Sequence, residues 1–283
     1  MNSFATILKL DFNATFRSRW FWVYAVLVIA SMGGIFATGI SDSRVAGFTG
    51  LTRPLLIFIQ GCNLVLPIFV LVSTVRTLVK EKESNIFEYE LSFPISLGEY
   101  YFSKFLSRIV ILCSPLLTAM VLSAVFCSVL GGSIPINIIL LYSGLLLAST
   151  FFYVSLSFFI SSLVRTQEVG LGVSLFIWLL LVALLDVALL GLLIKALVPE
   201  ETIYTLVLLN PVQLFKIAAI CLFDPVLSVI GPASYFILDL FGTSTFLSYT
   251  FLYLFGLGTV FLLVGQAQRA ILIKKSNRTL INF

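Results

Sequence analysis

Three sulfur side chains, Cys113, Met120 and Cys127, recur every seventh residue in one apolar run. On a helix they share a face, about 10.5 Å apart along the axis. Soft sulfur suits Cu(I), but that interval is too long for one ion. The row is therefore either a set of stepping stones for copper or a strip of pliable packing residues. One carboxylate, Asp186, stands inside LLLVALLDVALLGLL with no basic residue beside it. A charge there costs at least about 2.5–3.5 kcal/mol on insertion scales, so it must face a neighbour or a pathway. A transport contact, a seam between two copies and helix–helix glue are all open to it. The densest polar chemistry lies in Lys80–Lys104, KEKESNIFEYELSFPISLGEYYFSK, which carries five of the thirteen acidic residues.

Several chemistries are excluded. No glycine is followed by lysine, so no P-loop cradles ATP. No Gly-x-Ser-x-Gly elbow is present, and there is no histidine for zinc or acid–base work. Intramembrane charge is too sparse for a carboxylate proton relay. The chain thus offers no catalytic residues and no cofactor site, and its energy must come from another subunit. A net charge of +4 is too small to imply a nucleic-acid partner. The competing classes are an integral membrane enzyme, which would need a convergent polar site, and a non-transporting membrane scaffold.

The elements that must position these residues follow from composition. Sixty percent of the 283 residues are hydrophobic and 11% charged, which predicts an all-α polytopic membrane protein in one transmembrane domain, 1–283. No signal peptide is evident, since the first apolar run starts at Trp20 and is long enough to span. Residues 1–18 predict an amphipathic interfacial helix, with Phe4, Ile7, Leu8, Phe12 and Phe16 at helical spacing. Six spans are predicted at Trp20–Ile40, Pro54–Val79, Phe105–Leu130, Ile136–Val164, Val169–Ile194 and Ser244–Ala267, each around the ~20 residues a crossing needs. Close helix approach is possible at Gly33-Gly34, at Ser157 with Ser161, and at Gly170, Gly172, Gly256 and Gly258.

With the N-terminus inside, thirteen basic residues fall on the inner side and four (Arg44, Arg53, Lys195 and Lys216) outside. That asymmetry places both termini in the cytoplasm. The outer segment 195–243 reads as several short helices. Asn210-Pro211-Val212-Gln213 is a helix start, with Asn at the N-cap and Pro at N1. Asp224-Pro225 repeats the signal and Gly231-Pro232 breaks the chain. Such non-spanning helices form an exit gate, a docking platform or a plain cap over the bundle.

Between spans two and three the segment 80–104 leaves the membrane. Ser84-Asn85 predicts a turn, Ile86–Ser92 a short helix, and Pro94 its end. Ser96-x-x-Glu99 is a capping box that starts the next helix. Exposed aromatics between carboxylates mark a contact surface.

The run Glu81-Lys82-Glu83…Glu88-x-x-Leu91-Ser92-x-Pro94-x-Ser96-x-x-Glu99-Tyr100-x-x-x-Lys104 resembles the cytoplasmic signature of the ABC-2 type transporter permeases. The surface helix, six spans and long last outer segment resemble that family across essentially the whole chain. The resemblance implies a coupling helix seated in a cleft of a separate ATP-binding cassette subunit, with Glu81, Glu83, Asn85, Glu88, Tyr89, Leu91, Pro94 and Glu99 as the coupling residues. The family often has Gly-Thr where Asn85-Ile86 stands. Gly47-Phe48-Thr49, the Trp178…Asp186 run and Leu209-Asn210-Pro211 with Phe215-Lys216 resemble a narrower branch, the permeases that serve copper handling for nitrous oxide reductase maturation. That branch implies a bacterial inner membrane, a second copy of the chain and a periplasmic partner received by Asn210, Pro211, Phe215 and Lys216. Export of a lipid, polysaccharide or drug is the alternative within the family.

Overall fold

The computed structural model describes residues 3–37, 52–84, 86, 96–129, 136–185, 187–188, 191, 199–223 and 242–281. These residues are helical throughout, apart from the turns that join them. Helix α1 (Ser3–Phe16) meets α2 (Arg19–Ala37) at a bend of 67°. Both helices of the bent pair pack on the helix Leu97–Val129, and α2 also packs on Thr52–Glu83. The buried stripe of α1 is Ile7, Asp11 and Thr15, a spacing of four that places a carboxylate on the inward face. Phe16, expected on that face, is exposed; it stacks on Phe12, meets Phe21 at a tilt and meets Trp22 edge-on.

Among the described residues five helices are long and apolar enough to cross a membrane, and α1 with α2 makes a sixth if the bent pair is one crossing. The five are α3 (Thr52–Glu83), α4 (Leu97–Val129), α5 (Ile136–Leu163), α6 (Gln167–Leu179, continuing through a π-helical turn at Leu180–Leu184) and the last helix, α9 (Thr243–Ile281). Among the described residues between α6 and α9 are two short helices, α7 (Glu200–Leu209) and α8 (Pro211–Phe223). Asp224, Pro225, Gly231 and Pro232 fall outside the described residues.

Helices α3 and α9 overrun their predicted spans. Polar residues such as Lys80–Glu83 end the apolar run without ending the helix, because Lys and Glu are good helix formers. The 39 residues of α9 measure about 58 Å, nearly twice the ~30 Å hydrocarbon core, so its far end projects beyond it.

Helix α5 is the centre of the bundle. It packs on α3, α4, α8 and most extensively α9. Its buried hydroxyls bond back to their own helix, with Thr150, Ser157 and Ser161 donating to Leu146 O, Tyr153 O and Phe158 O at 2.7–2.8 Å. They thereby need no partner from neighbours. Two glycines let α9 lie close on it. A Cβ at Gly258 would stand 2.8 Å from the Phe151 ring, and one at Gly265 2.8 Å from Tyr101 Oη and 3.1 Å from Phe159 Cα. Gly170 does the same for α6, its Cβ position lying 3.0 Å from Val75 Cγ1. Gly33, Gly34, Gly172 and Gly256 have nothing within 4 Å of theirs.

Candidate coupling site at the charged end of the bundle

The helix ends on either side of residues 85–95, those of α3 and α4, are fixed by local chemistry. Ser84 closes α3, its N–H and Oγ both donating to Lys80 O at 3.0 and 2.8 Å. Ser96 opens α4 as the reciprocal box the sequence predicts. Glu99 N donates to Ser96 Oγ at 3.2 Å, and Ser96 N and Oγ donate to Glu99 Oε2 at 3.1 and 2.9 Å.

The two helices are then tied to each other. Lys104 Nζ donates to Glu81 Oε2 at 2.6 Å, and Tyr100 Oη reaches the same oxygen at 3.5 Å. The ammonium also lies 4.7 Å from the Tyr100 ring. Lys104 is buried, with 4% of its side chain exposed. In so dry a position the ion pair holds only because a charge is matched at short range.

The last turn of α3 also grips the turn between α5 and α6. Lys82 Nζ donates to Val164 O at 2.9 Å, supplying a cation to the C-terminal carbonyls of α5. Glu83 accepts from Gln167 N at 2.9 Å and from Gln167 Nε2 at 2.6 Å. The N-cap residue of α6, Thr166, makes no side-chain capping bond. Glu83 does that work from another helix, and its negative charge suits the positive helix start. Helix α9 is tied in at the same end. Arg269 Nη2 donates to Ser161 Oγ at 2.6 Å and its guanidinium sits 5.4 Å from the Tyr101 ring centroid, while Ser162 Oγ donates to Gln268 Oε1 at 3.1 Å.

The surface helix joins through Asp11. Its carboxylate accepts from Ser107 Oγ and from Arg108 Nη2, the latter at 3.4 Å. Sequence reasoning missed Asp11, although its position four residues after Ile7 on the apolar stripe was the available signal. It also missed Gln167, for which proximity to a helix start was the only cue.

Of the expected coupling residues, Glu81, Glu83 and Glu99 are described and each is engaged inside this chain. Asn85, Glu88, Tyr89, Leu91 and Pro94 lie outside the described residues, as does Asp186. Cys113 and Met120 are buried in helix contacts at 3% and 1% exposure, and Cys127 lies where side chains are not described. Among the described residues no three His, Cys, Asp or Glu side chains converge as metal ligands.

The joint between α7 and α8 is the second polar junction. Asn210 Oδ1 accepts from Val212 N at 3.0 Å, the predicted N-cap. Its Nδ2 donates to Leu181 O in the π turn of α6 at 2.9 Å. Tyr253 Oη donates to Leu209 O at 2.5 Å, and Trp178 Nε1 to Leu64 O at 3.2 Å. Asn210, Pro211 and Phe215 are buried and Lys216 is half-buried. Three of the four residues expected to receive an outer partner therefore face the bundle, because an apolar α8 gains more from packing on α3 and α5 than from water.

The family model for the ABC-2 family transporter protein matches residues 5–267. This chain belongs to the ABC-2 transporter family. The ABC-2 chain is also similar to two curated relatives. It is 22% identical over 240 residues to the probable ABC transporter permease protein NosY of Stutzerimonas stutzeri, covering 83% of this chain and 87% of that one. It is 25% identical over 227 residues to the probable NosY permease of Pseudomonas aeruginosa, covering 77% and 82%. As an ABC-2 permease it is the multi-span membrane subunit of an ABC transporter, a family in which the ATP-binding cassette is a separate component.

Proposed function

We propose that this chain receives the stroke of a cytoplasmic ATP-binding cassette subunit through residues 80–104 and passes it along the bundle. The observation that carries this reading is the clamp at Lys82 and Glu83. The last turn of the helix that leads into 85–95 holds the C-terminus of α5 and the N-terminus of α6 at once. A push on that segment would therefore move α3, α5 and α6 as a unit. About 21 Å further along α6, Asn210 holds the π turn. That contact is where motion of α6 would leave for α8 and the outer helices. Residues Glu88, Tyr89, Leu91 and Pro94 are the proposed contact with the ATPase, and Glu81, Glu83 and Glu99 brace it.

On this reading both termini lie in the cytoplasm of a bacterium and the chain sits in its inner membrane. A second copy completes the transporter, since α6 and α9 leave most of their apolar surface open. Asp186 serves that seam or a neighbouring helix. The NosY-like role is force transmission to a periplasmic partner in copper–sulfur handling for nitrous oxide reductase maturation. Three methionines and no histidine favour transmission over a metal conduit through this subunit. Export of lipid, polysaccharide or drug is the second reading, favoured by the same open faces of α6 and α9.

The test reconstitutes the chain with its ATP-binding subunit in nanodiscs. Glu88→Ala with Tyr89→Ala is expected to abolish ATP-dependent activity while the complex still inserts and folds. Unchanged activity would remove residues 80–104 from the coupling role. Labelling of a cysteine placed at position 88 by an impermeant reagent in sealed cells would overturn the orientation.

A further inference from the structure

A cleft of about 290 Å³ lies between α1, α2, α3 and α4, at the bend where the surface helix joins the bundle. Three residues that line it, Thr15, Ser73 and Arg108, each carry a buried polar atom, Oγ1, Oγ and Nε, with no hydrogen-bond partner. Arg108 as a whole is only 4% exposed. Buried donors normally find acceptors, so three together at one cleft point to a guest that brings oxygen atoms.

The charges agree. Arg76, Lys80 and Arg108 line the cleft, with Asp11 and Glu81 as its carboxylates. Both carboxylates are already engaged, Asp11 by Ser107 and Arg108 and Glu81 by Lys104. The charge left over is positive and belongs to Arg76 and Lys80. Arg76 is held over the Trp20 ring at 5.6 Å. Trp20 is half exposed, in the interfacial position where such rings anchor. From there α2 presents exposed Val23, Val26 and Leu27, an apolar track running away from the polar cleft.

We propose that this cleft holds the phosphate headgroup of an anionic phospholipid, with its acyl chains along α2. A phosphodiester carries one negative charge and oxygens that accept hydrogen bonds. It would neutralise the cations at the rim, and a rotation of the lining side chains would bring Arg108 Nε, Ser73 Oγ and Thr15 Oγ1 onto its oxygens. The volume fits a headgroup and not a whole lipid, which places the chains outside. A free phosphate shares the headgroup chemistry but has no use for the apolar track. The inference stands on the cleft and on membership of a membrane family, not on the coupling reading.

The test is native mass spectrometry of the full chain, delipidated in mild detergent and then offered phosphatidylglycerol or phosphatidylcholine. The wild type is expected to retain one phosphatidylglycerol per chain, preferred by roughly tenfold or more on the strength of two basic residues at a membrane surface. Arg76→Gln with Lys80→Gln should remove that preference. Both side chains are exposed, so the variant is expected to fold, and a thermal melt verifies it. Ser73→Val, which keeps the charge, should weaken retention by filling the cleft floor. Lys274→Gln with Lys275→Gln should change nothing. Equal retention of the two lipids by the wild type, or undiminished preference in the Arg76/Lys80 variant, overturns the site. Displacement of the bound lipid by millimolar inorganic phosphate would make it a free-anion site and overturn the lipid assignment.

Discussion

Lys104 and Glu81 meet at 2.6 Å across the two helices that bracket residues 85–95. The lysine side chain is 4% exposed and the glutamate 15%. Glu81→Gln leaves a buried ammonium without this carboxylate. Breaking one partner of a buried pair costs about 3 kcal/mol or more. Denaturant unfolding in detergent should show that loss. Exchanging the partners, Glu81→Lys with Lys104→Glu, should recover most of it. Equal stability of the single variant and the wild type would mean that the pair contributes nothing there.

Glu83 is the opposite case, an exposed carboxylate whose value lies in position. Its two bonds to Gln167 are the only side-chain cap described at the start of α6. Glu83→Ala should leave the bundle folded, and amide exchange at Gln167 and Glu168 should quicken. If α6 receives its motion here, ATP-dependent activity should fall much further than thermal stability does. Parallel loss of both would instead mark Glu83 as purely structural.

Much of this architecture could be read from residue types alone, and the reasons are physical. Apolar runs give the spans because hydrocarbon tolerates little else, and Ser96 with Glu99, or Asn210 with Pro211, give helix starts because the orphan N–H groups have few local solutions. What could not be read needs three dimensions. Glu83 and Gln167 are 84 residues apart, and Asp11 and Arg108 97. No periodicity links such pairs. The π turn at LLVAL carries no signal in its composition, since only its partner Asn210 sets it apart. Burial of Asn210 and Phe215 likewise depends on α8 folding inward, which a helix start does not announce.

The contact of α9 with α5 rests on the absence of side chains. At Gly265 an added methyl would meet Tyr101 Oη at 2.8 Å and Phe159 backbone atoms at 3.1 and 3.3 Å. The backbone has nowhere to go, so Gly265→Ala should destabilise by about 1–3 kcal/mol, the usual cost of overpacking. Gly256→Ala, with nothing within 4 Å, should be neutral in the monomer. If Gly256 lies in a seam between two copies, that variant alone should weaken dimerisation, which analytical ultracentrifugation in detergent would detect.

Asn210 makes two separable bonds, and substitutions can take them apart. Asn210→Asp keeps an oxygen for Val212 N and so keeps the N-cap of α8, but it loses the donor to Leu181 O. Asn210→Ala loses both, and cap removal alone costs about 0.5–2 kcal/mol. The alanine variant should therefore melt lower than the wild type in a detergent thermal scan. The aspartate variant also brings a carboxylate to a buried site beside a carbonyl, which is unfavourable when ionised. Lowering the pH protonates it and restores a donor, so its deficit should shrink in acid while that of the alanine variant stays constant. If Asn210 is the point where motion leaves α6, the aspartate variant at neutral pH should also lose ATP-dependent activity while still assembling with its ATPase. Retained activity in a folded aspartate variant would move the exit from α6 elsewhere.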